Sequence, residues 1–461
     1  MSDFQRKLFQ NRLAKAEQQL GVNISDVSGE DGGGTNESED SFGDIAPLPT
    51  FRNRNAHSNL KRSSGSDDDA KYLRSLPKWS AFFDSNDIYR DPKTGYCFQT
   101  YYSNPVLGET LSDTPNNPVI FIAHHGAGSS GLTFAKLTES ITKQARVQGY
   151  DSTPGLFTFD MRGHANTMML NKRGRDGLNF DLSIDQICKD FVFVLGQFFN
   201  AHFKEGEQAP SLFLIGHSLG GSVITKIIYE QQHAEDNQKP LPKVISDCIK
   251  GLIMVDIVED TAVKALNSMS SYLRGVPQQF PSMEKAVDWH LRSGLLNNRN
   301  SALISVPPLM YKSSPGGFYH WVTDLRRTSP YWSTWFTGLS SNFISITNSV
   351  SKMLILVNND YLDKDLMIGQ MQGRYQLLVF HNSQLQLKNT LTTLTQTVCS
   401  EDSDQLGHFV HEDIPDKVAI SLLEFVERND YRALSRPENA ATNSKIDLLN
   451  KLNAKWGVGK K

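Results

Sequence analysis

Ser211-Leu212-Phe213-Leu214-Ile215-Gly216-His217-Ser218-Leu219-Gly220-Gly221 passes from an apolar run, through a G-x-S-x-G turn, into a helix-like segment reaching Glu230. A strand that turns abruptly into a helix forces the apical residue into a strained conformation, so the residues two positions either side must be small. Gly216 and Gly220 meet that need. Ser218 is then the candidate nucleophile, with the positive helix end beneath it and the Leu219 backbone N–H placed to receive an oxyanion. The string alone is common in Gly-rich turns; its setting between a strand and a helix gives it weight.

Working outward, short apolar runs alternate with helical patterns. Val119 to Ala123, Gly155 to Phe159, Ser211 to Ile215, Gly251 to Val255, Met353 to Val357 and Tyr375 to Phe380 are strand candidates. Apolar strands separated by helices imply an α/β fold with a mostly parallel central sheet covered on both faces, and its chemistry at the strand C-termini. Between the fourth and fifth candidates, residues of about 261–351 form an interval too long for a simple crossover helix. It reads as a mainly helical cap insertion, and its aromatic cluster at Tyr331, Trp332, Trp335 and Phe336 is a candidate lining for an apolar substrate pocket. Residues 1–70 are dominated over much of their length by Ser, Gly, Asp, Glu and Asn and are expected to be largely disordered, because they cannot bury enough apolar surface to offset ordering entropy. The expected domain runs over 73–434, with a polar tail at 437–461.

A net charge of −3 over 461 residues argues against a nucleic-acid partner. The four cysteines lack metal-type spacing and fit reduced thiols in a cytoplasmic or nuclear protein. Neither a secretory signal nor an apolar stretch of membrane-spanning length is present, so no membrane association is expected. The basic stretch Lys172-Arg173-Gly174-Arg175 reads as a solvated loop.

A serine elbow needs a base, and the base needs an acid to fix its tautomer; on this architecture the chain order is Ser, acid, His. With 12 histidines, position must discriminate. His408 follows the last strand-like stretch and precedes a new helix, which is where a base can reach back to the serine; His411 is read as packing or capping that helix. For the acid, Asp256 and Asp360 both end strands on the correct side and the pattern does not separate them, with Asp363 and Glu259 behind. The loop His124-His125-Gly126-Ala127-Gly128 ends the first central strand, so the Ala127 N–H is the expected second oxyanion donor. Adjacent histidines on a strand face opposite ways, so His124 and His125 are not expected to bind metal. No cofactor is expected. A competing pattern exists: Gly126-Ala127-Gly128-Ser129-Ser130-Gly131 satisfies G-x-G-x-x-G and is trailed by Asp160, in outline a dinucleotide fingerprint. That reading leaves the elbow, the strand-end aspartates and the Gly407-His408 loop unexplained.

With these residues assembled, the chain resembles the protein phosphatase methylesterases, which have the α/β-hydrolase fold. The likeness is densest from Leu212 to Ser218, from Met254 through Glu259 to Gly275, from Leu362 to Gly373, and from Gly407 to Val418. The resemblance implies a carboxylic ester hydrolase that removes the methyl ester from the C-terminal leucine of the type-2A protein phosphatase catalytic subunit. It implies Asp256, rather than Asp360, as the acid partner of Ser218 and His408. It also implies a groove for the phosphatase tail near Met371; Trp335, from the aromatic cluster, is the other candidate substrate contact. Two other functions fit the same likeness: a phosphatase-binding inhibitory scaffold with secondary esterase activity, and a general small-ester hydrolase. The oxyanion loop departs from the family pattern in having Ala127 where glycine is common, a mild change because only the N–H is used.

Overall fold

The computed structural model describes residues 66–108, 117–169, 181–204, 208–314, 317–357, 362–381, 406–430 and 434. Lys172–Arg175, Asp360, Cys399 and the segments 1–65 and 437–461 lie outside the described residues.

Six apolar runs form the parallel part of the sheet: β3 (Val119–His124), β4 (Gly155–Phe159), β6 (Ser211–His217), β7 (Ile249–Val255), β11 (Ser351–Val357) and β12 (Gln376–Phe380). They match the six strand candidates. Nearly every residue of the middle five is buried, since both faces are covered. Two strands are added at one side: β1 (Ile88–Arg90) and β2 (Tyr96–Ser103), with the two-residue β5 (Met168–Met169) pairing with β2. The order is β1-β2-β4-β3-β6-β7-β11-β12, antiparallel where β2 meets β1 and β4 and parallel from β4 onward.

One face of the sheet packs Phe98, Phe157 and Leu214 against α3 (Ile184–His202) and α4 (Leu219–His233). The other packs Phe121, Phe213 and Ile355 against α2 (Ala135–Val147) and α10 (Pro415–Asn429), the last helix among the described residues. Fully burying one such side chain contributes about 1.5–3 kcal/mol, so these two layers dominate the stability of the sheet.

Between β7 and β11 the chain forms α5 (Glu259–Gly275), α6 (Met283–Arg292), α7 (Arg299–Ser305) and α8 (Leu339–Ser345). It also holds a small antiparallel sheet that the sequence pattern did not suggest: β8 (Gln279–Phe280), β10 (Tyr319–Trp321) and β9 (Met310–Lys312). Phe280, Met283, Val287, Met310 and Tyr319 give this region its own apolar cluster. A helix, α1 (Ser66–Ser75), joins it. The helix begins inside the segment that composition marks as polar leader, because Tyr72 and Leu76 pack on that cluster and the Asp69 carboxylate has three partners there. They are Lys312 Nζ at 2.7 Å, the Tyr319 hydroxyl at 2.7 Å and the Met283 N–H at 3.1 Å. Burial pushes the Asp69 pKa up, but these donors outweigh it and hold the group below its usual value. Among the described residues no helix is long and apolar enough to cross a membrane.

Candidate active site

Strand register gathers the chemistry. β6 lies between β3 and β7, with His124 opposite Gly216 and His217 opposite Val255. The residues that follow these three strand ends, His125 to Gly128, Ser218 and Asp256, therefore meet at one edge.

Ser218 sits at the elbow with φ 51° and ψ −121°, immediately before α4. Its backbone N–H donates to the Val255 carbonyl at 3.0 Å and its carbonyl accepts from Gly221 N–H at 2.8 Å, which fixes the turn. The need for glycine beside it is steric. A Cβ at Gly216 would lie 2.4 Å from Gly221 N, and one at Gly220 would lie 2.1 Å from the His124 carbonyl oxygen.

Asp256 also has positive φ, 53°. Its Oδ1 accepts from the Val357 N–H at 3.2 Å, and its Oδ2 lies 2.7 Å from His408 Nδ1. His408 is thus held on its acid side, with the ring 44% exposed. Among the described residues no hydrogen bond joins Ser218 Oγ to His408; such contacts commonly tighten only when substrate is bound. The loop carrying His408 is pinned at two backbone atoms. The Gly407 N–H donates to Asp413 Oδ2 at 2.8 Å, and the His408 carbonyl accepts from His217 Nε2 at 2.9 Å. Asp413 is itself clamped by Asn297 of the insertion, through the backbone N–H at 2.8 Å and Nδ2 at 3.0 Å. Sequence reading missed Asn297, Asp413 and the role of His217.

Two of the alternative acids, Glu259 and Asp363, have partners elsewhere, and Asp360 lies outside the described residues. Glu259 accepts from the N–H groups of Gly338 and Ser340 at the start of α8, at 2.7 and 2.9 Å. Asp363 caps α9 (Lys364–Met371) by accepting from the Leu366 N–H at 3.0 Å, and it also bonds the Ser340 hydroxyl.

On the opposite side of Ser218, the Ser129 N–H donates to the Gly126 carbonyl at 3.3 Å and closes a turn. This turn leans on the nucleophile: a Cβ at Gly126 would stand 3.0 Å from Ser218 Cβ. The N–H groups of Ala127, which follows Gly126, and of Leu219, which follows Ser218, carry no hydrogen bond among the described residues.

Several buried histidines surround this constellation. Burial lowers the pKa of His124 to about 4 and of His411 to about 3, and holds His125 and His217 well below the ordinary value, with neighbouring histidines adding to the effect. His411 packs, as its position suggested: its ring stacks on Phe134 and its Nε2 contacts Thr133 Oγ1 at 2.9 Å. His124 Nδ1 and His125 Nδ1 bond the carbonyls of His125 and Gly126, each at 2.8 Å, and among the described residues no group of three His, Cys, Asp or Glu is placed to hold a metal.

The dinucleotide fingerprint resolves into packing. Asp160 is fully buried; its Oδ1 accepts from the Gly131 N–H at 2.8 Å and its Oδ2 from the Asn166 N–H at 3.1 Å, so it is not free for a ribose. Burial raises its pKa to about 6 against these donors.

The two expected substrate contacts differ. Met371 lies near the end of α9 and is 76% exposed, with Met367 and Ile368 also exposed beside it. Gly369 lets α9 close on Ile344, where a Cβ would stand 2.6 Å from a methyl group, and Gly373 ends the helix with φ 68°. Trp335 is placed otherwise than expected: it is 3% exposed, and its indole N–H donates to the Leu182 carbonyl at 2.7 Å. Its ring anchors the insertion to the core instead of lining an open groove.

An α/β hydrolase family model matches residues 119–420. The chain is 42% identical over 347 residues to protein phosphatase methylesterase 1 of Debaryomyces hansenii, covering 75% of each chain. It is 37% identical to the protein of the same name from Saccharomyces cerevisiae, covering 93% of this chain and 95% of that one. Among solved structures, E-2-(acetamidomethylene)succinate hydrolase aligns over 74% of this chain and 100% of its own, at 11% identity and a TM-score of 0.48. The chain therefore belongs to the protein phosphatase methylesterases, serine-type carboxylesterases of the α/β-hydrolase family.

Proposed function

We propose that this enzyme hydrolyses the methyl ester on the C-terminal leucine of the type-2A protein phosphatase catalytic subunit. The substrate comes from the names of its relatives and the likeness of the blocks around Asp256 and Met371. The chemistry is supported above all by the 2.7 Å contact between His408 Nδ1 and Asp256 Oδ2 beside a serine elbow.

In this mechanism the ester carbonyl carbon sits over Ser218 Oγ, and its oxygen faces the N–H groups of Ala127 and Leu219. Asp256 keeps the His408 proton on Nδ1, so Nε2 accepts the serine proton as Oγ attacks. The tetrahedral oxyanion draws on the two amides. His408 then gives its Nε2 proton to the methoxide, and methanol leaves. Water, deprotonated by the same nitrogen, attacks the acyl-enzyme, and the free leucine carboxylate departs with Ser218 restored. Met371 and its exposed neighbours on α9 offer an apolar surface for the phosphatase.

The test is demethylation of the methylated phosphatase by wild type and Ser218→Ala, alongside labelling of Ser218 by a fluorophosphonate with and without phosphatase. Loss of turnover by several orders of magnitude in Ser218→Ala is expected. Near-normal turnover would reject the nucleophile. Turnover of p-nitrophenyl esters with none of the methylated tail would reject the substrate and favour a general esterase.

A further inference from the structure

The turn that carries Ala127 has two successive N–H groups, Ala127 and Gly128, and only one of them is free. Gly128, at φ 76°, donates its N–H to His164 Nε2 at 3.0 Å. Nε2 is therefore the acceptor, and the ring proton must be on Nδ1, which lies 2.9 Å from the Arg162 carbonyl. A ring protonated on Nε2 would set two donors against each other. The ring is fully buried, and burial holds its pKa at about 4, so it stays neutral through the physiological range.

The platform under this ring is rigid. Arg162 forms a buried ion pair with Asp190, which also accepts from Gln186 Nε2 at 3.1 Å, and its guanidinium lies 4.6 Å from the centre of the Tyr96 ring. The His164 N–H donates to the Met161 carbonyl at 3.0 Å, and the Gly163 carbonyl accepts from Thr323 Oγ1 of the insertion at 2.9 Å. From the other side Leu325 closes on the turn; a Cβ at Gly128 would stand 2.9 Å from its methyl carbon. A second link runs parallel to the first, the Met161 N–H donating to His125 Nε2 at 2.9 Å. The loop after β4 thus holds the loop after β3 through two imidazole-to-amide bonds.

We propose that His164 is the positioning residue of the oxyanion loop: by taking the Gly128 N–H it fixes the turn so that, of the turn's two N–H groups, only that of Ala127 faces the reacting carbonyl. It touches no substrate. The inference rests on the reading of Ala127 as an oxyanion donor, and it goes beyond that reading by assigning a residue of the β4 loop to the reaction.

Two near-isosteric substitutions in the full chain separate the ring's two roles. In His164→Gln the amide oxygen can stand near the position of Nε2 and keep the bond from Gly128. In His164→Asn the amide nitrogen can stand near Nδ1 and keep the bond to Arg162. With p-nitrophenyl acetate as probe, His164→Gln is expected to keep kcat within about 5-fold of wild type. His164→Asn and His164→Ala are expected to lose about 10²-fold in kcat with KM changed by less than about 3-fold, in line with removal of one oxyanion donor. Equal activity of the Gln and Asn variants, or a loss confined to KM, overturns the proposal, as does failure of His164→Gln to fold. Should the Asn and Ala variants not fold, ¹⁵N-histidine spectra of wild type decide, with the His164 signals identified by their loss in His164→Gln. A proton on Nδ1 with bare Nε2 supports the proposal, and a proton on Nε2 refutes it. Ser218→Ala in the same assay keeps the two readings apart: if it still turns over, the site reading fails, whereas an inactive Ser218→Ala with indistinguishable Gln and Asn variants sinks only the role of His164.

Discussion

Replacing Asp256 with Asn changes one atom, and the geometry around it says what that atom does. The Val357 N–H points at Oδ1, so an asparagine keeps its carbonyl oxygen there and turns its Nδ2 toward His408. His408 Nδ1 must then accept, its proton moves to Nε2, and the ring can no longer take the serine proton. Flipping the amide would restore the tautomer but set Nδ2 against the Val357 N–H, at about 1–3 kcal/mol for an unsatisfied buried donor. The imidazolium formed during attack also loses its counter-charge, worth roughly 4 kcal/mol for charges about 4 Å apart at an effective dielectric of about 20. Together these give about 5–7 kcal/mol, or roughly 10⁴–10⁵-fold in kcat. Asparagine tolerates the positive φ of this position, so the thermal midpoint should barely move. Steady-state demethylation of the phosphatase tail, with Asp360→Asn in parallel, is the assay. A loss under about 10-fold in Asp256→Asn, or a larger loss in Asp360→Asn, would refute the assignment.

Asp413→Ala frees the Gly407 N–H and both Asn297 donors, so the His408 loop should loosen; kcat should fall about 10–100-fold, and a calorimetric midpoint should report a stability loss of about 1–3 kcal/mol. Gly220→Ala would gain roughly 1 kcal/mol from helix propensity but drive a methyl group into the His124 carbonyl, and a net loss of about 2 kcal/mol or more is expected by thermal unfolding. Glu412 is fully buried, and burial lifts its pKa from 4.5 to about 8. Between those values the unfolded chain ionises while the folded carboxyl stays protonated, so this group makes stability fall as pH rises from about 4.5 to about 8. Its oxygens meet the Thr133 hydroxyl and Ser305 Oγ, contacts a neutral amide can also make, so Glu412→Gln should be more stable than wild type at pH 8 and lose that advantage near pH 5; urea titrations at both values check this.

The sheet was legible because its strands are unbroken apolar runs ending in Gly or polar loops, a pattern that burial on both faces imposes. The small sheet of the insertion was not, since strands as short as Gln279–Phe280 carry no periodicity. The candidates Ser218 and His408 come from their places relative to strands and helices, and the structure sets Ser218 at a strand-to-helix turn and His408 against Asp256. The pattern does not separate Asp256 from Asp360, because both follow apolar runs; the pairing of His217 with Val255 sets Asp256 beside the serine, and Asp360 lies outside the described residues. Trp335 shows the opposite failure: an aromatic cluster reads equally well as pocket or core, and what decides is the Leu182 carbonyl, 153 positions away, that takes its indole proton. His164 gave no signal of its own, because a histidine acting through a backbone amide leaves no spacing motif.

The helix α1 imposes an order of events on the newly made chain. Asp69 leaves the ribosome early, yet its partners Lys312 and Tyr319 lie 243 and 250 residues further on. At roughly 5–20 residues per second, the carboxylate waits about 10–50 s before either exists. The sheet's first strands can pair in that interval, while the insertion's apolar cluster closes later around a helix made earlier. A nascent chain released before Lys312 would leave the Asp69 carboxylate with only the Met283 N–H of its three partners.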